Sequence, residues 1–480
     1  MLLTSGYNDS AIVCRKNIQG GLYGRQAQAI ATENMPERHE VNSRRQRPRK
    51  AKSSVATRKG SNTILKSHDT MRPSAMRVSL VLLVTLLFFT CVENASAQVA
   101  VRGETVYTMT GAPIRDGVVV ITNGKIESVG AASEIKIPVG YKTLRAKVVT
   151  PGLIDARSVV GLSGYLNQPH DQMQLELSAS VQPELRAIDA YDARERLVEW
   201  LRRFGITTIH TGHAPGALVS GQTMIVKTYG DEVDDAVIVP TAMVSVTLGN
   251  AGMGQNGKSP GTRAKQISML RAEFLKAKEY DVKQSSAKED QKGSRDLHIE
   301  VLVRVLKREI PLLVSAQRAQ DIISAIRLAK EFNIRIVLDG AAESYLVLNE
   351  IKAAGIPVIL HPTMYRAGGE TENLSMETAS ILRKAGIQFA IQGGYETYVP
   401  KTRVVLFEAA VAASNGLTID EALASITIDA ARILGIDNRV GSLAAGKDAD
   451  VVLFDGDPFE YTSHVIGVMI NGQVVSEVRQ

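Results

Sequence analysis

The chain has 480 residues and a hydrophobic fraction of 44%, which is too long for one ordinary core and fits a large domain beside a smaller one. Its net charge of +6 would suggest a nucleic-acid partner, but the basic excess lies in residues 1–75, and residues 98–480 are slightly acidic. Both cysteines, Cys14 and Cys91, precede residue 98. A disulfide or a thiolate metal site within the rest of the chain is therefore excluded.

The first 97 residues do not have the composition of a folded domain. Residues 1–75 are polar and basic without apolar periodicity, which predicts either a disordered extension or a gene-model artefact upstream of the true start. Residues 76–97 contain a positive residue, an apolar run and Ala95-Ser96-Ala97, the pattern of a cleaved export signal. A retained anchor and a buried helix are the alternatives. The cleaved signal predicts a periplasmic or secreted protein.

Both ends of the remaining chain have the pattern of β-hairpins. Asn123-Gly124 separates two apolar runs within residues 98–150, and Asn471-Gly472 does so within residues 436–480. Asn-Gly between apolar runs is a strong hairpin signal. The simplest assembly joins the two ends into one small β-sandwich.

The middle of the chain alternates short apolar runs with helical stretches, which is typical of a parallel α/β barrel. We expect a distorted (β/α)8 TIM-type barrel over residues 151–435. Predicted strands are Thr207–Ile209, Met224–Lys227, Pro311–Val314, Arg335–Leu338, Pro357–Leu360 and Gln388–Ile391. Predicted helices are Asp189–Arg203, Arg263–Tyr280, Asp321–Phe332, Leu346–Ala354 and Met376–Ala385, and the polar stretch Asp281–Arg295 predicts an exposed loop.

Residues 149–156 read Val-Thr-Pro-Gly-Leu-Ile-Asp-Ala, a run that resembles the end of the first barrel strand in the amidohydrolase superfamily, the metal-dependent hydrolases of non-peptide C–N bonds. Residues 427–450 are similar to the family's return from barrel to sandwich. Residues 214–222 resemble the imidazolonepropionase-like branch. The resemblance covers about residues 98–480 and implies the barrel, the sandwich and a zinc-dependent hydrolysis.

The chain departs from this family at the positions that bind the metal. The resemblance implies a His-x-His pair where Arg157 and Val159 stand, a histidine at Ser315, a histidine at Asp339 and an aspartate at Gly394. Gln317 replaces a second family histidine, two residues after Ser315. Catalytic zinc needs about three protein ligands, and of these positions only Asp339 supplies a good one. We therefore expect no metal and no other cofactor, and a guanidinium–carboxylate contact between Arg157 and Asp339 where the family holds zinc.

Other polar residues in the same loops could form a different site. His210 and His213 follow one predicted strand, His361 follows another, and Glu396 follows the last. Each histidine also has a plain structural interpretation as a polar loop residue. These four are the candidate pocket residues, and Arg157, Val159, Ser315, Gln317, Asp339 and Gly394 are the vestigial site positions.

Two functional hypotheses follow. The first is a catalytically degenerate amidohydrolase relative that binds a small-molecule ligand or acts as a partner subunit, in a homo-oligomer or paired with an active paralogue. The second is an active C–N hydrolase with a rearranged site. Neither requires nucleic acid, nor a membrane after removal of the signal.

Overall fold

The computed structural model describes residues 98–480, apart from 255, 289–292 and 396–403. The strands are β1 Val99–Val106, β2 Ile114–Thr122, β3 Lys125–Ala131, β4 Lys142–Pro151, β5 Leu153–Ser158, β6 Ile206–Gly212, β7 Val219–Lys227, β8 Val237–Val239, β9 Val244–Thr247, β10 Leu312–Ala316, β11 Ile336–Gly340, β12 Val358–Leu360, β13 Phe389–Ile391, β14 Val451–Phe454, β15 Val465–Ile470 and β16 Gln473–Ser476. The helices are α1 Arg196–Arg203, α2 Val233–Ala236, α3 Arg263–Ser286, α4 Leu297–Leu306, α5 Ala319–Phe332, α6 Leu348–Ala354, α7 Thr378–Ala385, α8 Val405–Ser414, α9 Ile419–Ser425 and α10 Ile428–Leu434.

The two ends of the described chain form one seven-stranded sheet, in the order β16-β15-β14-β4-β1-β2-β3. The join is the antiparallel pair β4–β14, in which Thr150 lies opposite Val452. Both predicted hairpins are present. Asn123 and Gly124 have φ of 52° and 75°, and Asn471 and Gly472 have φ of 51° and 75°, the left-handed conformations that these tight turns require.

The middle of the chain forms a nearly closed barrel of eight strands, in the order β13-β12-β11-β10-β9-β7-β6-β5, with β8 added beside β7. The expectation of a fully parallel barrel is wrong at β7, which pairs antiparallel with both β6 and β9. The connection 213–218 between β6 and β7 is too short for the crossover that a parallel pair needs.

Further details differ from the sequence predictions, among them the helix expected over Asp189–Arg203, which begins only at Arg196. The strand expected at Thr207–Ile209 extends to Gly212, because β7 pairs along it. β9 was not predicted, since four residues give little periodicity. The stretch Asp281–Arg295 is not a loop throughout, because α3 continues to Ser286. Among the described residues, no helix has both the length and the apolar character needed to cross a bilayer.

The barrel interior is apolar at one level and polar at the next. Buried Leu313 and Val337 belong to an apolar cluster inside the barrel. Two residues further along the same strands stand Ser315 and Asp339, which are also buried. Because side chains two apart on a strand share a face, these polar groups lie above the apolar layer, at the carboxyl ends of the strands. Active sites of such barrels occupy this end.

Candidate functional site

A small cavity of about 70 Å³ opens among the ends of the barrel strands. It is lined by Arg157, Ser158, Val159, Pro215, Gln317, Asp339, Gly340, His361, Pro362, Tyr365, Thr371, Gln392, Gly394 and Tyr395. The structure thus brings together most of the positions at which the family resemblance implied metal ligands. Ser315 lies beside the cavity and reaches it through its bond to Asp339.

Hydrogen bonds from two side chains hold the Asp339 carboxylate. Oδ2 accepts the hydroxyl proton of Ser315, and Oδ1 accepts Nε2–H of Gln392 at 2.8 Å. Gln392 also donates to the carbonyl oxygen of Ile359 at 3.2 Å. Asp339 is only 4% exposed, so these donors replace the water that a charged carboxylate would otherwise need.

The guanidinium of Arg157 lies beside this carboxylate. Its Nη1 donates to the carbonyl oxygen of Ser158 at 3.0 Å, and its Nη2 donates to the carbonyl oxygen of His213. Nε is 3.9 Å from Oδ2 of Asp339, at the outer limit of an ion pair, and has no hydrogen-bond partner among the described residues. Burial lowers the pKa of Arg157, against the opposing effects of Asp339 and Asp155. The contact expected between Arg157 and Asp339 is present.

His210 does not face the cavity, contrary to expectation. It lies within β6, where Nδ1 is 2.8 Å from the carbonyl oxygen of Ala156 and Nε2 is 2.7 Å from the hydroxyl of Thr223. A carbonyl only accepts, so Nδ1 carries the proton and Nε2 accepts. Burial lowers the pKa of His210 to about 3, with Arg157 adding to the shift. This histidine is a neutral structural link between β5, β6 and β7.

His213 also lies outside the cavity wall. Its ring packs against Gly221, where an added Cβ would come within 2.5 Å of the imidazole. The backbone of Gln174 is near enough to the ring to favour its charged form, although no hydrogen bond of good geometry joins them among the described residues. Burial and the nearby Arg157 lower the pKa of His213 to about 4. Its backbone carbonyl, not its imidazole, serves the site by accepting from Arg157.

His361 is the candidate histidine that does line the cavity. Nδ1 is 2.8 Å from the carbonyl oxygen of Pro362, and Nε2 finds no partner among the described residues. Because a carbonyl can only accept, Nδ1 holds the proton and Nε2 presents a free lone pair. Burial lowers the pKa of His361 to about 4, so the ring is neutral at physiological pH.

The remaining sequence-predicted positions divide into three groups. Val159 and Gln317 both line the cavity, and Gln317 Oε1 accepts the N–H of Ala342 at 3.2 Å. Gly394 has φ of 73°, and an added Cβ there would lie 2.5 Å from Pro362 Cγ. Glu396 falls outside the described residues.

Sequence reasoning overlooked Asp155, which is fully buried on β5. Its Oδ1 accepts the N–H groups of Gly393 at 2.9 Å and Arg157 at 3.1 Å, and Gly394 donates to the carbonyl oxygen of Arg157 at 3.3 Å. These bonds tie the first barrel strand to the segment after the last one. A charged residue two positions before Arg157, inside an apolar strand, was the available signal.

Tyr395 was also overlooked. It lines the cavity, and its hydroxyl accepts Nε2–H of Gln174 at 2.9 Å. Gln174 belongs to the segment between β5 and α1, so this bond holds two loops together across the barrel mouth. An aromatic residue just after the last strand is too common a feature to have singled it out.

Comparisons with known proteins agree with this architecture. The profile of the amidohydrolase family matches residues 375–475. The chain is 24% identical over 387 residues to amidohydrolase tasK of Hapsidospora irregularis, covering 72% of this chain but only 38% of that protein. It is 24% identical over 401 residues to an imidazolonepropionase of Brucella anthropi, covering 75% of this chain and 92% of that protein.

A crystal structure of an amidohydrolase from Thermotoga maritima MSB8 superimposes with a TM-score of 0.75. It is 29% identical and covers 79% of this chain and all of that one. The barrel, the sheet built from both ends and the matched sequences all support the amidohydrolase superfamily.

The residues present do not fit the zinc that this superfamily implies. Among the described residues, no group of three His, Cys, Asp or Glu side chains converges as a ligand set. Arg157 places a cation 3.9 Å from the one suitable carboxylate. At Gly394 the positive φ and the nearby Pro362 would strain any side chain, so an aspartate could not be accommodated there without backbone movement.

Proposed function

We propose that this protein is a metal-free member of the superfamily whose barrel mouth binds a small molecule instead of hydrolysing one through zinc. The observation that carries the proposal is the buried network of Arg157, Asp339, Ser315 and Gln392. In this network the carboxylate of Asp339, the one good ligand left of the implied set, is paired with the guanidinium of Arg157 and accepts a hydrogen bond at each oxygen. A zinc ion would have to displace this pairing and would gain one protein ligand, where it ordinarily needs three or four.

The test is the metal content of the protein, measured by elemental analysis after expression in zinc-supplemented medium and dialysis. We expect well under one zinc per chain. The double variant Arg157→His/Val159→His is the matched comparison, because with Asp339 it offers three candidate ligands. It should retain more zinc than the natural sequence. Stoichiometric zinc in the natural protein, surviving dialysis, would overturn the proposal.

A second candidate function is hydrolysis of a C–N bond without metal. It is favoured by one observation, the neutral His361, which lines the cavity and whose Nε2 has no hydrogen-bond partner among the described residues. Such a nitrogen has the protonation state of a general base. The relatives named above also carry the names of hydrolases. Turnover of an amide that persists in chelator and disappears in His361→Phe would favour this function over simple binding.

Three expectations about the whole protein remain proposals. The protein is exported and matures near Gln98, which places it in the periplasm or outside the cell. Its two chain ends fold as a sandwich, a finer description than the single sheet observed. The protein, without catalytic activity of its own, forms an oligomer with a second copy or pairs with an active paralogue.

A further inference from the structure

Part of the cavity wall is a loop rather than a barrel strand. This loop is residues 365–374, between β12 and α7, and we call it the strap. Tyr365 and Thr371 of the strap line the cavity. The cavity of about 70 Å³ is small beside the ~300–1,000 Å³ of ordinary ligand pockets. A ligand of ordinary size therefore requires part of the wall to move.

The strap is bonded within itself but buries little apolar surface. Thr371 Oγ1 donates to the carbonyl oxygens of Arg366 at 3.2 Å and Gly368 at 2.9 Å, and Leu374 donates its N–H to the carbonyl oxygen of Thr371 at 3.1 Å. Within the strap, all of which the structure describes, only Thr371 is buried. Segments with few buried apolar contacts open locally at a low cost in free energy. The strap can therefore leave the wall as one piece.

Ion pairs hold the strap against the first turns of α3 and α5. Glu370 pairs with Arg263 of α3 and also accepts the N–H of Asn250 at 2.9 Å. Glu372 pairs with Arg318, the residue that precedes α5, at 2.6 Å. The four charged side chains are between 17% and 57% exposed, so dissolved salt screens both attractions.

Uncharged hydrogen-bond donors anchor the strap at its two ends. Just before it, Thr363 Oγ1 donates to Oε2 of Glu408 at 2.7 Å. Near its end, Asn373 Nδ2 donates to Oε1 of Glu343 at 2.7 Å. Residues 366–369 between these anchors are exposed. Loss of the two ion pairs would thus free the middle of the strap and leave its ends in place.

We propose that the strap is a gate, which closes the cavity while Glu370 and Glu372 keep their ion pairs and opens as one piece when those pairs break. The opening controls how fast a molecule reaches the cavity. Rising ionic strength favours the open form, because salt weakens exposed ion pairs. The inference rests on the proposed function, since a gate serves only a cavity that binds a molecule.

The accessibility of a cysteine placed in the cavity wall measures this opening. In the full chain with Cys14→Ser and Cys91→Ser, Val159→Cys provides one thiol at the cavity. Its rate of alkylation by iodoacetamide, a small uncharged reagent, is followed in the presence of a chelator. We expect Glu370→Gln/Glu372→Gln to raise that rate about fivefold, since each exposed ion pair contributes modestly. Salt at about 0.5 M should raise the rate before this double substitution and not after it.

Two controls distinguish a gate from general loosening of the barrel. Glu331→Gln removes an exposed ion pair with Arg271, at 2.6 Å, which joins α3 and α5 without involving the strap, and should leave the rate unchanged. Ala422→Cys, used in place of Val159→Cys, puts the thiol in the buried core on α9 and should react slowly in every variant. Equal rates in Glu331→Gln and the double variant, or a parallel increase at Ala422→Cys, would overturn the gate.

The zinc content of the natural chain separates this inference from the proposed function. Zinc-free protein in which the double substitution leaves the alkylation rate unchanged refutes the gate alone. Stoichiometric zinc refutes the proposed function, whatever the alkylation rates.

Discussion

Arg157 and Asp339 stabilise each other chiefly because each gives the other a nearby opposite charge in a buried site. A charged group buried alone costs several kcal/mol, and neither side chain is more than 5% exposed. Their 3.9 Å separation gives Coulombic attraction without a direct hydrogen bond. The bonds from Ser315 and Gln392 to Asp339, and from Arg157 to two backbone carbonyls, satisfy most of the remaining polar atoms. Removing either charge leaves the other unpaired.

Replacing Asp339 by Ala should therefore lower the free energy of unfolding by about 3–5 kcal/mol, because it leaves a buried guanidinium uncompensated. Urea denaturation measures the change. Asp116→Ala is the matched control, since Asp116 makes a bidentate pair with Arg102 at 2.6 and 2.7 Å but on the exposed surface. Surface pairs contribute little, so the control should lose much less. Comparable losses in the two variants would show that the Arg157–Asp339 pair is not buried as described.

Between elements, the feature that completes the barrel is the seam between β5 and the segment after β13. The two strands are the ends of the barrel order and are not joined by a described ladder. Asp155 bridges them instead, through its bond to Gly393. Its Oδ2 lacks a partner within the described part of the chain. Burial raises the pKa of Asp155 to about 7, with Glu408 adding to the shift and the backbone donors and Arg157 opposing it.

This raised pKa predicts a pH dependence with a definite sign. An unfolded aspartate titrates near ~3.9, so between about pH 4 and 7 the folded state holds a proton that the unfolded state has released. The contribution of Asp155 to the free energy of unfolding therefore falls as pH rises through that window, by about 1.4 kcal/mol for each pH unit. Asp155→Asn, which mimics the protonated form, should gain stability relative to the natural protein as pH rises.

Urea titrations at intervals from pH 4 to 8 measure that difference. Asp116→Asn provides the opposite sign, because the bond to Arg102 lowers the pKa of Asp116. A folded pKa below the unfolded one means stability that is present at higher pH and lost on acidification. Relative to the natural protein, Asp116→Asn should thus weaken as pH rises through the acid range. Parallel curves for Asp155→Asn and the natural protein would contradict a raised pKa at Asp155.

The sequence predicted the hairpins and strands better than it predicted which strands pair with each other. The hairpins at Asn123-Gly124 and Asn471-Gly472 were predictable because the turn chemistry is local. The antiparallel course of β7 was not, because it depends on a short connection and on pairing with β9, a strand without its own signal. The same extended pairing moved His210 from a presumed loop into β6.

For the site, the chemical types of the residues could be judged from the sequence, whereas the placement of their side chains could not. The chemistry of Arg157, Val159 and Gly394 argued against zinc ligation from the sequence alone, and their place at the cavity agrees with the positions that the family resemblance implied. Which histidine reaches the cavity could not be read in advance. His213 and His361 both follow strands, but His213 packs against Gly221 and His361 lines the cavity.

At the scale of the whole molecule, a buried ionic cluster joins the sheet to the barrel. Lys227 of β7 lies 2.5 Å from Asp450 and 3.1 Å from Asp448, and all three side chains are 3% exposed. Lys125 and Arg439 also pair with Asp448, at 2.5 and 2.9 Å. Although burial opposes it, these cations hold the pKa of Asp448 below its ordinary value. The run Gly446–Asp450, part of the segment that resembles the family, thus has a structural role, linking the end of the chain to the barrel.

Lys227→Met should lower the free energy of unfolding by about 3–5 kcal/mol, because it leaves Asp450 buried without its cation while roughly preserving side-chain volume. Lys142→Met is the control: Lys142 lies 3.8 Å from Glu477, and both side chains are more than three-fifths exposed. Trp200, the sole tryptophan, lies on α1, which contacts both β6 of the barrel and β15 of the sheet, so its fluorescence reports the junction, and far-UV circular dichroism reports both parts. Because the cluster couples sheet and barrel, the two signals should change together during urea unfolding of the natural protein. A loss in Lys227→Met no larger than in Lys142→Met would mean that the cluster does not join the two parts energetically.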